Sequence, residues 1–302
     1  MLSFENFLKE TTLEPLVPSD IREEYIEEQF DVLLEKLITF GGQAYPKFGN
    51  IVIMAGGAGS GKGFVKDKLV GIEGKVFDVD ELKTLAAKTP AIRKKVQAEF
   101  GVDLENLAAN LKKPENVAKL HEIIGDAMKL PDKRMQAFYA SVLSAADDRK
   151  PNIIFDVTLK DLRKLEKLTR QVAAIGYNKK NVHIVWVVND IEVAKAQNAE
   201  RDRTVPVEIL VNTHRGASQT MLDIINMGKM LDDYMDGDIV FAFNKVGVDT
   251  ELVTSKFGGK YVKDANYFYV KRRGKPVMSV DQLSKDLRAK IASYVPPGVD
   301  WA

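Results

Sequence analysis

The sequence predicts an α/β fold, a doubly wound parallel sheet, from three observations. Five short apolar runs alternate with helical patterns, the arrangement that gives βαβ crossovers with helices on both faces of the sheet. The first run empties into a glycine-rich turn at Gly56–Gly63. Polar residues cluster just after the runs: Asp78 and Asp80 after the second, Asp156 at the third, Asn189 and Asp190 after the fourth. The carboxyl ends of parallel strands are where such sheets bind ligands.

The elements follow in order. Residues 1–45 read as an N-terminal helical arm, with Ile26, Phe30, Leu33, Leu34 and Leu37 at helical spacing and a stop at Gly41-Gly42. Residues 46–249 read as the α/β core. Its strands are expected at 50–55, 75–79, 152–156, 182–188 and 239–243. Helices follow the glycine turn and span 160–174, 191–201 and 206–230. Residues 81–150 form an almost wholly helical insert, broken near Pro90, Gly101 and Pro131. Residues 250–302 read as a small C-terminal β-hairpin and helix appendage, with turn signals at Gly258-Gly259 and Arg273-Gly274 and a last helix over 280–294.

Composition bounds the function. The chain has 302 residues, 45% hydrophobic and 29% charged, enough for a large core. A net charge of +1 gives no global field for nucleic acid or membrane. The absence of cysteine excludes disulfides and thiolate chemistry, and fits a reducing cytoplasm. No apolar run is long enough for a transmembrane helix.

The run Ile51–Ala55 followed by Gly56, Gly57, Ala58, Gly59, Ser60, Gly61, Lys62, Gly63 and Phe64 has the form of a phosphate-binding loop, G-x-x-x-x-G-K-[ST]. Glycines let backbone N–H groups face an anion, and Lys62 reaches the β- and γ-phosphates of ATP or GTP. Gly63 departs from the pattern, because a Ser or Thr hydroxyl there normally meets Mg²⁺. Ser60 is the nearest replacement donor. The alternative to nucleotide binding is a glycine-rich turn with no ligand.

With Asp80-Glu81-Leu82-Lys83, Asp156-Val157-Thr158-Leu159-Lys160 and Arg201-Asp202-Arg203-Thr204-Val205-Pro206, this loop resembles the zeta-toxin-like P-loop kinases over residues 50–244. The opening Met1–Glu10 is similar to the start of some tailed-phage proteins. The kinase resemblance implies an ATP- or GTP-dependent phosphotransferase. It implies Asp80 as the residue that orients the acceptor hydroxyl, with Asp78 as the rival. Asp156 would hold Mg²⁺ with Ser60, and Arg201 and Arg203 would be arginines over the transferring phosphoryl group. Lys83, Asp78 and Thr158 fall on the substrate side. Each has a plainer reading. Asp80 can cap a helix starting at Glu81, Asp156 can be a strand-end carboxylate, and the arginines can be solvated charge at a helix end.

His214 reads as structural or as a substrate contact, and His121 and His183 show no partner pattern. The aromatic-basic stretch Tyr267–Lys275 allows, without favouring, single-stranded nucleic acid. The acceptor stays open: a nucleotide sugar, a small metabolite, a protein side chain or a polynucleotide 5′-hydroxyl. The reading from another class is a nucleotide-binding structural or assembly protein with weak turnover, which Gly63 keeps open.

Overall fold

A computed structural model describes residues 48–68, 70, 72–201, 203–244, 252–254, 260–262, 267–272 and 275–301. The expected N-terminal arm and the opening Met1–Glu10 lie outside them.

One face of each strand faces each helical layer because side chains alternate along β structure. On β1 (Ile51–Ala55), Ile51, Ile53 and Ala55 join one apolar layer while Val52 and Met54 join the other. β1 is buried along its whole length, as a central parallel strand must be. It lies between β3 (Ile153–Asp156) and β4 (Val182–Val188), parallel to both. β2 (Lys75–Asp78) flanks β3, and β5 (Ile239–Phe243) flanks β4. Neighbours in space are thus not neighbours in sequence, and the order β2-β3-β1-β4-β5 puts a topological switch point beside the end of β1. The expected strands are present with ends moved by one residue at most.

The helices that matter for the site are α1 (Lys62–Lys68) after the glycine turn and α2 (Val79–Lys88) after β2. The insert continues through α3 (Pro90–Phe100), α4 (Leu104–Ala109) and α5 (Pro114–Leu120). A π-helical turn, His121–Ala127, and α6 (Leu130–Leu143) complete it. Val96, Leu104, Leu120 and Ile124 give the insert a small core of its own. α7 (Leu162–Ala174) follows β3, α8 (Ile191–Glu200) follows β4, and α9 (Val207–Asn226) leads back toward β5.

The C-terminal expectation needs correction. A short hairpin, β6 (Leu252–Thr254) with β7 (Lys260–Val262), is present. β8 (Tyr267–Lys271), however, pairs antiparallel with β5 and is the edge strand of the main sheet. Trp301 is fully buried and stacks on Trp186 of β4 with ring centroids 5.5 Å apart. Residues 267–272 and 275–301 therefore complete the core and are no appendage. The expected last helix is also split: a 3₁₀ turn at Val280–Gln282 precedes α10 (Lys285–Tyr294), because Ser284 caps a new start by accepting from Leu287 N. Within the basic stretch, Lys271 needs correction, and Arg273 and Gly274 lie outside the described residues. Lys271 is buried, its ammonium paired with Asp232 and Asp236, so it cannot face a nucleic acid.

Candidate active site

The loop after β1 is shaped by what packs behind it. Gly61 has φ +84°, and a Cβ there would stand 1.9 Å from Asn244 Nδ2, which donates to Ser60 O. A Cβ on Gly57 would strike the His214 ring at 2.1 Å. Both positions demand glycine for closeness of approach. Asn189 Nδ2 donates to Gly59 O from the end of β4. Polar side chains from three elements thus hold the loop backbone from beneath.

The loop opens on a cleft of about 580 Å³. Ala58 through Gly63 line it. Gly56 and Gly57 are buried behind the turn, and Phe64 packs into the apolar layer under β1. Lys62 Nζ donates to Gly56 O at 2.9 Å and to Gly57 O at 3.3 Å, and lies 3.6 Å from Asp156 Oδ1. Asp156 faces the cleft from the end of β3, in register with Asp78 at the end of β2. Burial, with the Asp78 carboxylate beside it, outweighs the Lys62 ammonium and holds the Asp156 carboxyl above the ordinary carboxylate range. A strained carboxylate pair of this kind gains from a cation. Oxygen donors with open valences suit Mg²⁺, which takes one or two carboxylates and completes its shell with phosphate and water. Asp156 and Asp78 fit that demand. Ser60 does not stand ready for it: its side chain is fully buried, its Oγ lies against the Gly56 backbone, and it has no hydrogen-bond partner among the described residues. No group of three or more His, Cys, Asp or Glu among the described residues forms a metal cluster.

The two aspartates after β2 divide their work. Asp78 is the helix cap: its Oδ1 accepts from Asp80 N at 2.7 Å and Glu81 N at 3.3 Å, so α2 starts at Val79 and not at Glu81. That leaves the Asp80 side chain in the cleft. Its Oδ1 accepts from Lys83 Nζ at 3.0 Å and pairs with Arg203 Nη1 at 2.8 Å. Burial works to raise the Asp80 carboxyl, but the Lys83 and Arg203 cations overcome it and hold it below its ordinary value. Asp80 is therefore a carboxylate at neutral pH. Lys83 is itself buried, held against Asp80 on the cleft wall.

Arg203 stands on a fixed strut. Two residues on, Asn198 brackets Val205, donating to Val205 O at 2.8 Å and accepting from Val205 N at 3.0 Å. Thr204 ties to the insert through Leu111 O and Lys112 O. Arg201 also lines the cleft but is exposed, tied only through its backbone N–H to Asn198 O at 3.4 Å among the described contacts. Thr158 lines it too, and its carbonyl accepts from Gly56 N at 3.3 Å.

Several cleft residues escape sequence reasoning. His121, on the π-helical turn, and Lys164, on α7, both line the cleft. Burial and the Lys83 charge hold His121 below its ordinary value. Only the π-helical geometry marks His121, and a sequence does not show it. Asn244 carries no motif, since its role comes from the β5 end lying beside the loop.

The sequence model of the family described as Zeta toxin matches residues 122–235. Over that stretch, somewhat more than a third of the chain, the sequence is similar to the Zeta toxin family. The matched stretch runs from the π-helical turn through β3, β4, the arginine segment and α9 to just past the 3₁₀ turn at Gly228–Asp233, and so covers Asp156, Arg201 and Arg203 but not the glycine loop or Asp80. No curated protein matches the chain. Among solved structures, it is similar to the native AvrRxo1-ORF1:AvrRxo1-ORF2 complex at 13% identity, over 93% of this chain and 73% of that one, with a TM-score of 0.48. The AvrRxo1-ORF1:AvrRxo1-ORF2 structure with ATP is similar at 11% identity, over 93% and 86%, with a TM-score of 0.41. A structure from the PezAT toxin-antitoxin system of Streptococcus pneumoniae is similar at 12% identity, over 76% and 78%, with a TM-score of 0.35. The zeta-toxin similarity supports a nucleotide-dependent kinase fold. Among the described residues, no helix is long and apolar enough to cross a membrane.

Proposed function

We propose that the protein is an ATP- or GTP-dependent phosphotransferase that phosphorylates a hydroxyl group. The observation that carries this reading is the convergence of Lys62, Asp156, Asp80 and Arg203 on one cleft, from four different places in the chain. Lys62 and the loop N–H groups would bind the β- and γ-phosphates. Asp156, with Asp78, would hold Mg²⁺, which when bound offsets charge on the phosphate oxygens. Asp80 would accept the hydrogen bond of the acceptor hydroxyl and orient its oxygen toward the γ-phosphorus. The new P–O bond forms as the bond to the bridging oxygen breaks, the hydroxyl proton passes to the Asp80 carboxylate, and the nucleoside diphosphate leaves. A carboxylate held below its ordinary pKa is a weak base. Phosphoryl transfer needs orientation more than proton abstraction, because its transition state is loose. Arg203 would stabilise charge on the transferring group.

The test is consumption of ATP and GTP, with and without Mg²⁺, alone and against a panel of metabolites, nucleotide sugars and 5′-hydroxyl oligonucleotides. Lys62→Ala is the control. Turnover that requires an acceptor and disappears in Lys62→Ala supports the reading. Nucleotide binding with no transfer to any acceptor would favour the assembly-protein alternative, which the missing hydroxyl at Gly63 suggests. Transfer to oligonucleotides alone would identify a polynucleotide kinase.

A further inference from the structure

Two neighbouring residues of α9 grip one residue of the glycine loop. Thr213 Oγ1 accepts from Ala58 N at 3.2 Å, and His214 Nε2 lies 2.7 Å from Ala58 O. A carbonyl only accepts, so Nε2 carries the proton in this pair. Both polar groups of the Ala58 backbone are therefore committed to side chains of a helix more than 150 positions away. The grip is built rather than incidental. His214 is 5% exposed, its backbone carbonyl is anchored by Ser218 Oγ at 2.8 Å, and its ring fills the space where any side chain at Gly57 would stand. Thr213 is fixed in turn by donating to Leu210 O at 2.7 Å.

We propose that Thr213 and His214 are positioning residues for nucleotide binding, which fix the loop in its phosphate-binding shape by holding both the N–H and the C=O of Ala58, and so the peptide units on either side of it. This rests on the nucleotide-binding reading above and assigns the pair a role within it. A loop of four glycines between Gly56 and Gly61 has many backbone conformations open to it. Ordering them upon binding would subtract from affinity, whereas a loop already ordered binds without that loss. Turning the Ala58 N–H and C=O toward α9 also removes both from the anion-facing surface, and leaves that surface to the loop residues that follow. Because α9 begins four residues after Arg203, the same helix that presets the loop anchors the arginine segment.

The experiment measures ATP affinity by calorimetry, and melting without nucleotide, for the wild type and two matched pairs. His214→Phe keeps a ring but loses the donor, and His214→Gln restores an N–H at the Nε2 position. Thr213→Val keeps the shape but loses the hydroxyl, and Thr213→Ser restores it. Phe and Val at these sites should weaken ATP binding roughly tenfold or more, and Gln and Ser should stay within about threefold of the wild type. Thr213→Val should melt close to the wild type, which separates positioning from general destabilisation. Wild-type ATP affinity in both Phe and Val variants would overturn the proposal, as would equal losses in the restoring variants. If His214→Phe does not fold, the Thr213 pair decides alone. A wild-type protein that binds no nucleotide would defeat the nucleotide reading itself, a result distinct from wild-type affinity in the variants.

Discussion

Arg203 Nη1 lies 2.8 Å from Asp80 Oδ1, across the cleft from the glycine loop. An arginine on the segment after α8 and an aspartate on the helix after β2 thus form an ion pair, with Lys83 on the same carboxylate oxygen at 3.0 Å. The Asp80 carboxyl is half exposed, so the pair contributes modestly to stability. Its importance is positional. Arg203 holds the carboxylate that would receive the acceptor, and Asp80 fixes the cation that would meet the γ-phosphate.

The first prediction separates binding from chemistry. Asp80→Asn removes the negative charge but keeps size and hydrogen bonding. ATP affinity should hold or rise, because Arg203 and Lys83 lose their carboxylate and turn more charge toward the phosphates. Phosphoryl transfer should fall roughly 100-fold, the usual scale for losing such a group. Calorimetry and steady-state turnover on one preparation check both. Near wild-type turnover would remove Asp80 from the mechanism.

Asp78 should respond differently. Its Oδ1 caps α2, so Asp78→Ala should destabilise the protein by about 1 kcal/mol, seen as a lowered melting temperature. Asp78→Ser, which can still cap, should recover most of that loss. If the alanine variant melts like the wild type, the cap is not contributing.

Much of this was legible in the sequence, because the strands are short apolar runs with polar ends. β4 and β5 have the predicted bounds, and Asp78, Asp80 and Asp156 gather at the cleft, whereas Asn189 holds the loop from behind and Asp190 caps α8. The division between Asp78 and Asp80 was not legible. Both are aspartates near a helix start, and only the backbone decides which one accepts from the first-turn N–H groups. The role of residues 267–272 and 275–301 was hidden for a different reason. Antiparallel β8 and the stacking of Trp301 on Trp186 depend on pairings across the chain that local periodicity cannot carry. The buried state of Lys271 is similar, since its partners Asp232 and Asp236 lie more than 30 positions away.

Gly63 yields the next prediction. A Cβ built there meets nothing within 4 Å, so a side chain fits without strain. Gly63 is helical and shows no positive φ, and its replacement by Ser should stabilise α1 slightly, by up to about 0.5 kcal/mol, from the lower cost of ordering. The new hydroxyl stands where Mg²⁺ is usually met. Turnover in Gly63→Ser should therefore reach its half-maximum at several-fold lower Mg²⁺ than in the wild type. An unchanged Mg²⁺ titration would place the cation elsewhere in the cleft.

The last prediction uses His214 and pH. Burial is the largest influence on its ring and, with the Lys62 charge, outweighs the Ala58 hydrogen bond, so the folded-state pKa lies below the ordinary 6.5. The folded protein favours the neutral ring. As pH falls through 6.5 the unfolded chain takes up a proton that the folded chain resists, and linkage makes stability fall. The contribution of His214 is fully present above the unfolded value and declines below it until the folded ring also protonates. Denaturant midpoints measured from pH 7.5 down to pH 5 should thus drop in the wild type more steeply than in His214→Gln, which has no titrating ring and keeps the donor to Ala58. The comparison concerns slope and not level, so any uniform cost of the substitution cancels. Every other titrating group is present in both proteins and subtracts out of the comparison. Parallel curves would mean that His214 titrates alike in the folded and unfolded chain, and that burial under the glycine loop does not hold its ring neutral.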